Sequence, residues 1–332
     1  MRLSGKKVFV TGACGFIGSH LVEHLLDKGA DVRAFVYYNA FNSWGWLDTL
    51  PKSIVKKIDV HMGNAKDPHG VKKAMKGSAV VFHLAALIGI PFSYHSPDSY
   101  VDTNIRGSLN ILQAARDLGV DRVIMTSTSE VYGSALYVPI DEKHPLQAQS
   151  PYAATKIAAD KMAESFYLSF GLPVVIARPF NTYGPRQSVR AIIPTIITQA
   201  LSDQKAIRLG NIHTFRDMNY VSDICTGLIA VAENDQAIGK TINICSGREV
   251  SIEDLARLIL KALGSDKDIE TEECRVRPKG SEVERLLGDN TLICSLTGWK
   301  PQCSLEDGIV RTVEWFRAEG KMLPHKAGLY AI

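Results

Sequence analysis

Lys6-Lys7-Val8-Phe9-Val10-Thr11-Gly12-Ala13-Cys14-Gly15-Phe16-Ile17-Gly18-Ser19-His20-Leu21 runs from an apolar, β-branched strand pattern through three spaced glycines into an amphipathic helical pattern. A strand that enters a helix this way opens a parallel α/β unit. Gly12 permits the tight turn, and Gly15 lets backbone N–H groups approach a pyrophosphate. Gly18 lets the helix pack close to the strand, with the phosphate at the helix N-terminus. The Gly-x-x-Gly-x-x-Gly spacing differs from the dinucleotide fingerprint Gly-x-Gly-x-x-Gly, so by itself it also fits a strand-to-helix turn without ligand. Cys14 inside the loop reads as a small filler rather than a redox centre.

Outward from this stretch the chain alternates. Strand patterns at Lys7–Thr11, Asp31–Val36, Val80–Leu84, Arg122–Thr126 and Val174–Arg178 are separated by helical patterns at Leu21–Lys28, Asp67–Met75, Tyr100–Leu118 and Tyr152–Phe170. This predicts an α/β fold: a Rossmann-type doubly wound parallel sheet with a smaller C-terminal α/β substrate-binding domain. The expected division is 1–180 for the NAD(P)-binding part, with 217–232 returning to it, and 181–216 plus 233–325 for the substrate part. Past Asn181 the regularity breaks at Gly184-Pro185, with helices expected near Ile192–Leu201, Ile252–Leu263 and Leu305–Phe316.

Composition sets the class. In 332 residues, 45% are hydrophobic, 22% are charged and the formal net charge is +3, a balance that calls for neither nucleic acid nor membrane. No apolar run reaches the roughly 18 residues of a spanning helix, and the N-terminus enters a charged strand at once. A cytoplasmic protein is expected. Cysteines 14, 225, 245, 274, 294 and 303 form no C-x-x-C pair, which argues against a disulfide framework and against zinc, so no metal is expected.

Tyr152 and Lys156 lie four residues apart in Ser-Pro-Tyr-Ala-Ala-Thr-Lys, about one helical turn. Phenol and ammonium then share a face, and the lysine favours the phenolate. Such a tyrosine can take a proton from a sugar hydroxyl while a nicotinamide takes the hydride. Taken alone, the pair also fits an ordinary amphipathic helix. Thr128-Ser129-Glu130 precedes it.

Together these motifs resemble the extended short-chain dehydrogenase/reductase family, in the NAD-dependent epimerase/dehydratase branch acting on nucleotide-activated sugars, and the resemblance spans nearly the whole chain. It implies that Gly12, Cys14, Gly15, Phe16, Ile17 and Gly18 cradle the cofactor. By the same resemblance Phe82-His83-Leu84-Ala85-Ala86 brings Leu84, Ala85 and Ala86 to line it, with Asn104, Tyr152 and Lys156. The segments Arg178-Pro179-Phe180-Asn181, Tyr183-Gly184-Pro185-Arg186, Arg216-Asp217-Met218-Asn219-Tyr220-Val221 and Arg277-Pro278 match places where such enzymes bind the sugar nucleotide. Asn181, Arg186, Arg216, Arg277 and Glu282 are the implied substrate contacts, arginine's planar fork suiting a diphosphate. As lone residues these arginines would be solvated charges.

Within that family the Thr-Ser-Glu triplet is similar to GDP-mannose dehydratases. Thr128 would orient the 4-hydroxyl. A carboxylate at Glu130 near a 4-keto sugar can remove the C5 proton, the step a 4,6-dehydratase needs. Ser129 stands where many hexose dehydratases have Asp, so proton delivery to the leaving 6-hydroxyl would run through water or Tyr152. UDP-glucuronate decarboxylases share the triplet and are the chief rival, followed by 4-epimerases. A non-catalytic cofactor-binding regulator is opposed by the intact Tyr152/Lys156 pair. Tyr38–Asp48, Ala86–Tyr94 and Ser281–Asp289 resemble the N-acetylglucosamine 4,6-dehydratases of legionaminic acid synthesis. That resemblance favours a GDP-linked GlcNAc substrate, with UDP-GlcNAc open, and makes Ile88 part of the sugar pocket's lining.

At the end of the second strand no Asp or Glu meets the ribose; Phe35-Val36-Tyr37-Tyr38-Asn39 puts Tyr37 there. The absence of a cation favours NAD, with NADP open. Asn64, followed by Ala65, is expected to accept from the adenine amine through its amide oxygen. By the resemblance, Tyr100–Leu118 and Tyr152–Phe170 imply a homodimer through a four-helix interface.

Overall fold

The computed structural model describes residues 1–319. The chain runs β1 (Lys7–Thr11), α1 (Phe16–Asp27), β2 (Asp31–Tyr37), a single turn α2 (Lys52–Val55), β3 (Asp59–Gly63), α3 (Pro68–Met75) and β4 (Val80–His83). Next come α4 (Ile90–His95), α5 (Pro97–Tyr100), a π-helical turn at Val101–Arg106 and α6 (Gly107–Leu118), then β5 (Arg122–Thr126), α7 (Pro151–Phe170) and β6 (Val174–Pro179). The remainder holds β7 (Asn181–Tyr183), α8 (Ile192–Ala200), β8 (Ala206–Leu209), β9 (Phe215–Tyr220), α9 (Val221–Glu233) and β10 (Thr241–Ile244). It ends with β11 (Glu249–Ser251), α10 (Ile252–Leu263), β12 (Asp268–Thr271), β13 (Arg285–Leu286), α11 (Thr291–Thr297) and α12 (Leu305–Glu319).

Seven strands form one parallel sheet in the order β10-β6-β5-β4-β1-β2-β3. Every residue of β4 and β6 is buried, as expected for strands covered on both faces. The strand order reverses between β1 and β4, and ligands of such sheets bind outside the carboxyl ends at that switch point. A second sheet, β11-β9-β13 with β7 paired to β9, and the pair β12-β8 lie apart from the first. Their own core includes Ile196, Ile207, Leu255 and Ile309.

Two expectations need correction. β10 pairs with β6 as the seventh strand of the main sheet, although 233–325 was read as substrate domain throughout. A four-residue strand inside an irregular stretch carries little periodic signal. Residues 320–325 of that division lie outside the described residues. The helix read as Tyr100–Leu118 is interrupted by the π turn, a distortion frequent at functional sites.

Candidate active site

The glycine loop has the geometry that its spacing predicts. Gly12 has φ +68°, and a Cβ there would meet Ala85 N at 2.8 Å, so the loop after β1 lies directly on the loop after β4. A Cβ on Gly18 would come within 2.1 Å of the Gly12 carbonyl oxygen. No side chain caps α1 at Gly15, which leaves the helix N-terminus available to an anion. Thr11 Oγ1 accepts from the amides of Leu84 and Ala85 at 3.2 and 3.1 Å and fixes the second wall of this cradle. The stretch after β2 folds over the loop, where Trp46 N donates to the Cys14 carbonyl at 3.1 Å. Tyr37 is 64% exposed at the end of β2. Phe16 and Ile17 begin α1, and Ala65 is buried against α6 through the Asn110 amide, which donates to its carbonyl at 2.9 Å.

α7 is started by Ser150, whose hydroxyl accepts from Ala153 N at 3.1 Å, with Pro151 at the first turn. It ends at Gly171 in the left-handed region. Tyr152 and Lys156 both point inward from this helix. Burial pushes the Tyr152 phenol well above its ordinary value; the Thr128 hydroxyl pulls it down and the Glu130 carboxylate pushes it up. Lys156 is pulled below its usual range by burial and donates to the Thr126 carbonyl at 2.6 Å. Burial thus opposes the phenolate that the spacing suggested, and the Thr128 hydroxyl favours it. Thr128 accepts from Glu130 N at 3.2 Å, capping the 3₁₀ turn Ser129–Tyr132, and Ser129 is buried within that turn.

On the opposite side stands a basic pair. Arg216 is buried in β9, which pushes its guanidinium down; Glu130 and Glu282 act against that and Arg277 adds to it. Arg216 Nη2 lies 3.6 Å from a Glu282 carboxylate oxygen. Arg277 Nη1 and Asn181 Oδ1 are buried with no hydrogen-bond partner. Such atoms cost free energy unless something supplies a partner, and these two are aimed at opposite needs, a donor and an acceptor. The fold thus brings Thr128, Glu130, Tyr152, Arg216, Arg277 and Glu282 into one neighbourhood.

Leu87, Ile90, Tyr94, Tyr100 and Tyr152 form an apolar cluster beside it. Tyr94 and Ser281 hydroxyls meet at 2.5 Å, joining α4 to the 277–283 segment. Ile88 is 63% exposed at the mouth of this wall. The pairing of Tyr94 with Ser281 was not legible in the sequence, which carries no local signal for a contact across so many residues.

Three expected residues have other duties. Asn104 is buried and its amide is spent: it accepts from Leu87 N at 2.9 Å and donates to Leu87 O and to Thr155 Oγ1. It holds Leu87 of the segment after β4 against α7. Arg186 has φ +67°, which turns its side chain onto α1, where Nη1 bonds Glu23 at 2.7 Å and Ser19 Oγ at 3.1 Å. Its side chain is therefore held against α1, the helix that follows the glycine loop. The Asn64 amide oxygen accepts from Lys66 N at 3.0 Å, a local turn that competes with the adenine role. Among the described residues no cluster of three or more His, Cys, Asp or Glu can hold a metal ion, and no helix is long and apolar enough to cross a membrane.

Residues 9–312 match the family described as GDP-mannose 4,6 dehydratase. The chain is 34% identical over 316 residues to the low-salt glycan biosynthesis protein Agl12 of Haloferax volcanii, covering 93% of this chain and 98% of that protein. The structure is similar to that of DesIV, a dTDP-glucose 4,6-dehydratase from Streptomyces venezuelae solved with NAD bound, with a TM-score of 0.85 and 30% identity over 96% of this chain and 99% of that one. It is equally similar to a UDP-N-acetylglucosamine 4-epimerase from Methanobrevibacter ruminantium M1, with a TM-score of 0.85 and 31% identity over 95% and 99% of the two chains.

Proposed function

The chain belongs to the GDP-mannose 4,6-dehydratase family of nucleotide-sugar dehydratases and epimerases with the short-chain dehydrogenase/reductase fold, and from that premise we propose that it is an NAD-dependent 4,6-dehydratase of a nucleotide-linked GlcNAc, GDP-GlcNAc first and UDP-GlcNAc second. The observation that carries the reading is the position of Glu130. Its carboxylate lies close enough to perturb both the buried Tyr152 phenol and the buried Arg216 guanidinium. An epimerase that only moves a hydride at C4 has no use for a base there, whereas a dehydratase must remove the C5 proton.

The residues present fit NAD: a glycine cradle whose approach distances admit no side chain, an uncapped helix N-terminus, and no cation at Tyr37 to receive a 2′-phosphate. NAD held by the Gly12–Gly18 loop and the N-terminus of α1 would supply a reversible hydride acceptor for oxidation at C4 and reduction at C6, with no net redox change. Tyr152 takes the 4-hydroxyl proton, with Thr128 orienting that oxygen and Lys156 favouring the phenolate. Glu130 removes the C5 proton that the new ketone has acidified. The proton with which the 6-hydroxyl leaves comes from Tyr152, which holds the one taken from the 4-hydroxyl, or through water, and Ser129 helps that hydroxyl leave. Arg216 and Arg277 hold the diphosphate, and Asn181 donates or accepts at the sugar nucleotide. The apolar wall of Leu87, Ile88 and Ile90 suits an acetamido methyl.

Residues 1–180, 217–232 and β10 would carry the cofactor, and the second sheet with its helices the sugar nucleotide. A homodimer through α6 and α7 is supported by the exposed apolar side chains of Leu168 and Phe170 on α7 and of Val101 in the π turn that leads into α6. Light scattering of the purified protein tests it.

The activity is tested by incubating the protein with GDP-GlcNAc, UDP-GlcNAc, dTDP-glucose and UDP-glucuronate in parallel and weighing the products. Loss of one water from a GlcNAc nucleotide without NADH accumulation supports the reading. Loss of carbon dioxide from UDP-glucuronate replaces it with a decarboxylase.

A further inference from the structure

Along α7, Tyr152, Lys156 and Asp160 recur at four-residue spacing and all are buried. Each meets one residue of the strand end 126–128. The Thr128 hydroxyl acts on the Tyr152 phenol, Lys156 Nζ donates to the Thr126 carbonyl at 2.6 Å, and Ser127 Oγ donates to Asp160 Oδ2 at 2.8 Å. The same Asp160 oxygen receives Arg178 Nε and Nη2 at 3.1 and 3.0 Å. Arg178 is itself held by Tyr132, whose hydroxyl accepts from Nη1 at 3.0 Å and whose ring lies 4.9 Å from the guanidinium carbon.

A buried ion pair is weak evidence for stability, since apolar replacements of similar volume are often as stable. Asp160 is far from solvent, with 3% of its surface exposed, so it does not touch substrate. What it does touch is the Ser127 hydroxyl, in the strand end that also carries Thr126 and Thr128, and the Arg178 guanidinium. We propose that Asp160 is a positioning residue for the oxidation at C4, indexing α7 against the end of β5 so that Tyr152 meets Thr128 and Lys156 meets the Thr126 carbonyl. The proposal rests on Tyr152 being the base of that oxidation.

Around Lys156 the charged and titratable neighbours are few. Asp160 on its own helix is the group that raises its proton affinity against burial. His83 on β4 is held neutral, pushed down to about 3 by burial and by Lys156 itself. Arg178 on β6 is committed to Asp160, β5 presents only the Thr126 carbonyl, and Tyr152 completes the set. Asp160 also holds up the proton affinity of Tyr152. Its removal therefore moves both ionisations in the same direction.

The test uses the full chain with NAD and whichever of GDP-GlcNAc, UDP-GlcNAc or dTDP-glucose it dehydrates. Asp160→Asn is expected to lower kcat at least tenfold with KM within twofold, and to move both limbs of the kcat–pH profile to lower pH. Asp160→Glu should recover most of the rate. Ser127→Ala, which removes one rung and no charge, should lower kcat with both limbs unmoved. A purely structural role would lower the rate equally at every pH, so an Asp160→Asn profile with wild-type limbs overturns the proposal. Should Asp160→Asn not fold by circular dichroism, a wild-type kcat in Ser127→Ala overturns it instead. An active Tyr152→Phe protein would defeat the underlying choice of base, a result separate from any of these.

Discussion

Lys156 Nζ donates to the Thr126 carbonyl at 2.6 Å, so the lysine four residues beyond Tyr152 is tied to the strand end that carries Thr128. Lys156→Met keeps the aliphatic stem and deletes the ammonium. The expected loss in kcat is about 10²-fold, the lower range for general acid–base contributions, as read by steady-state product formation. An unchanged kcat would remove Lys156 from the chemistry.

Glu130→Gln preserves shape and removes the base. Loss of dehydration by about 10²- to 10⁴-fold is expected, with NAD binding retained in calorimetry. Deuterium from solvent should no longer enter C5 of the substrate, which separates loss of proton abstraction from loss of C4 oxidation.

Arg277→Met removes a buried donor that has no partner in the unliganded protein. Stability should stay level or rise slightly, because an unsatisfied group disappears. Affinity for GDP and UDP should fall by about tenfold or more, consistent with roughly 1.5–3 kcal/mol for a hydrogen bond to a charged group. Parallel thermal melts and titration calorimetry read both effects; equal nucleotide affinity would take Arg277 out of the diphosphate site.

Gly18→Ala places a methyl within 2.1 Å of the Gly12 carbonyl oxygen. Since backbone lies on the other side, the turn must shift, at a cost of about 1–3 kcal/mol. A lower melting temperature together with at least tenfold weaker NAD binding is expected. A change in stability with no change in NAD affinity would mean that the loop is only a turn.

His83 is buried and His20 half-buried, and burial pushes both down to about 3 from 6.5. Each is neutral in the folded chain while the unfolded chain takes up a proton below pH 6.5. Their contribution to stability is complete above that pH and declines as pH falls toward 3, by up to about 1.4 kcal/mol per pH unit per histidine. Urea melts from pH 7 to pH 4 should show this slope, reduced in His83→Gln; an unreduced slope there would assign it to other groups.

Local patterns carried most of the site. The glycine turn and the Tyr152/Lys156 pair follow from spacing within one strand-to-helix turn or one helical turn, and spacing is visible in a bare sequence. The bonds of Arg186 to Glu23 and Ser19 were not legible, since they join distant parts of the chain and no residue-type preference announces a left-handed backbone, φ +67°, in an arginine. The duties of the Asn104 amide were not legible because its partners, Leu87 and Thr155, lie far away in the chain. Asp160 shows the same boundary. Its four-residue offset from Lys156 was there to be read, but its meaning depends on Ser127 and Arg178, which only the folded sheet brings together.

The central claim is best tested with GDP-GlcNAc carrying deuterium at C4, analysed by NMR after incubation with the protein and NAD. Dehydration predicts a 4-keto product, one water lighter, with the deuterium now on C6. Deuterium retained at C4 of a GalNAc nucleotide would instead identify a 4-epimerase and contradict the role given to Glu130.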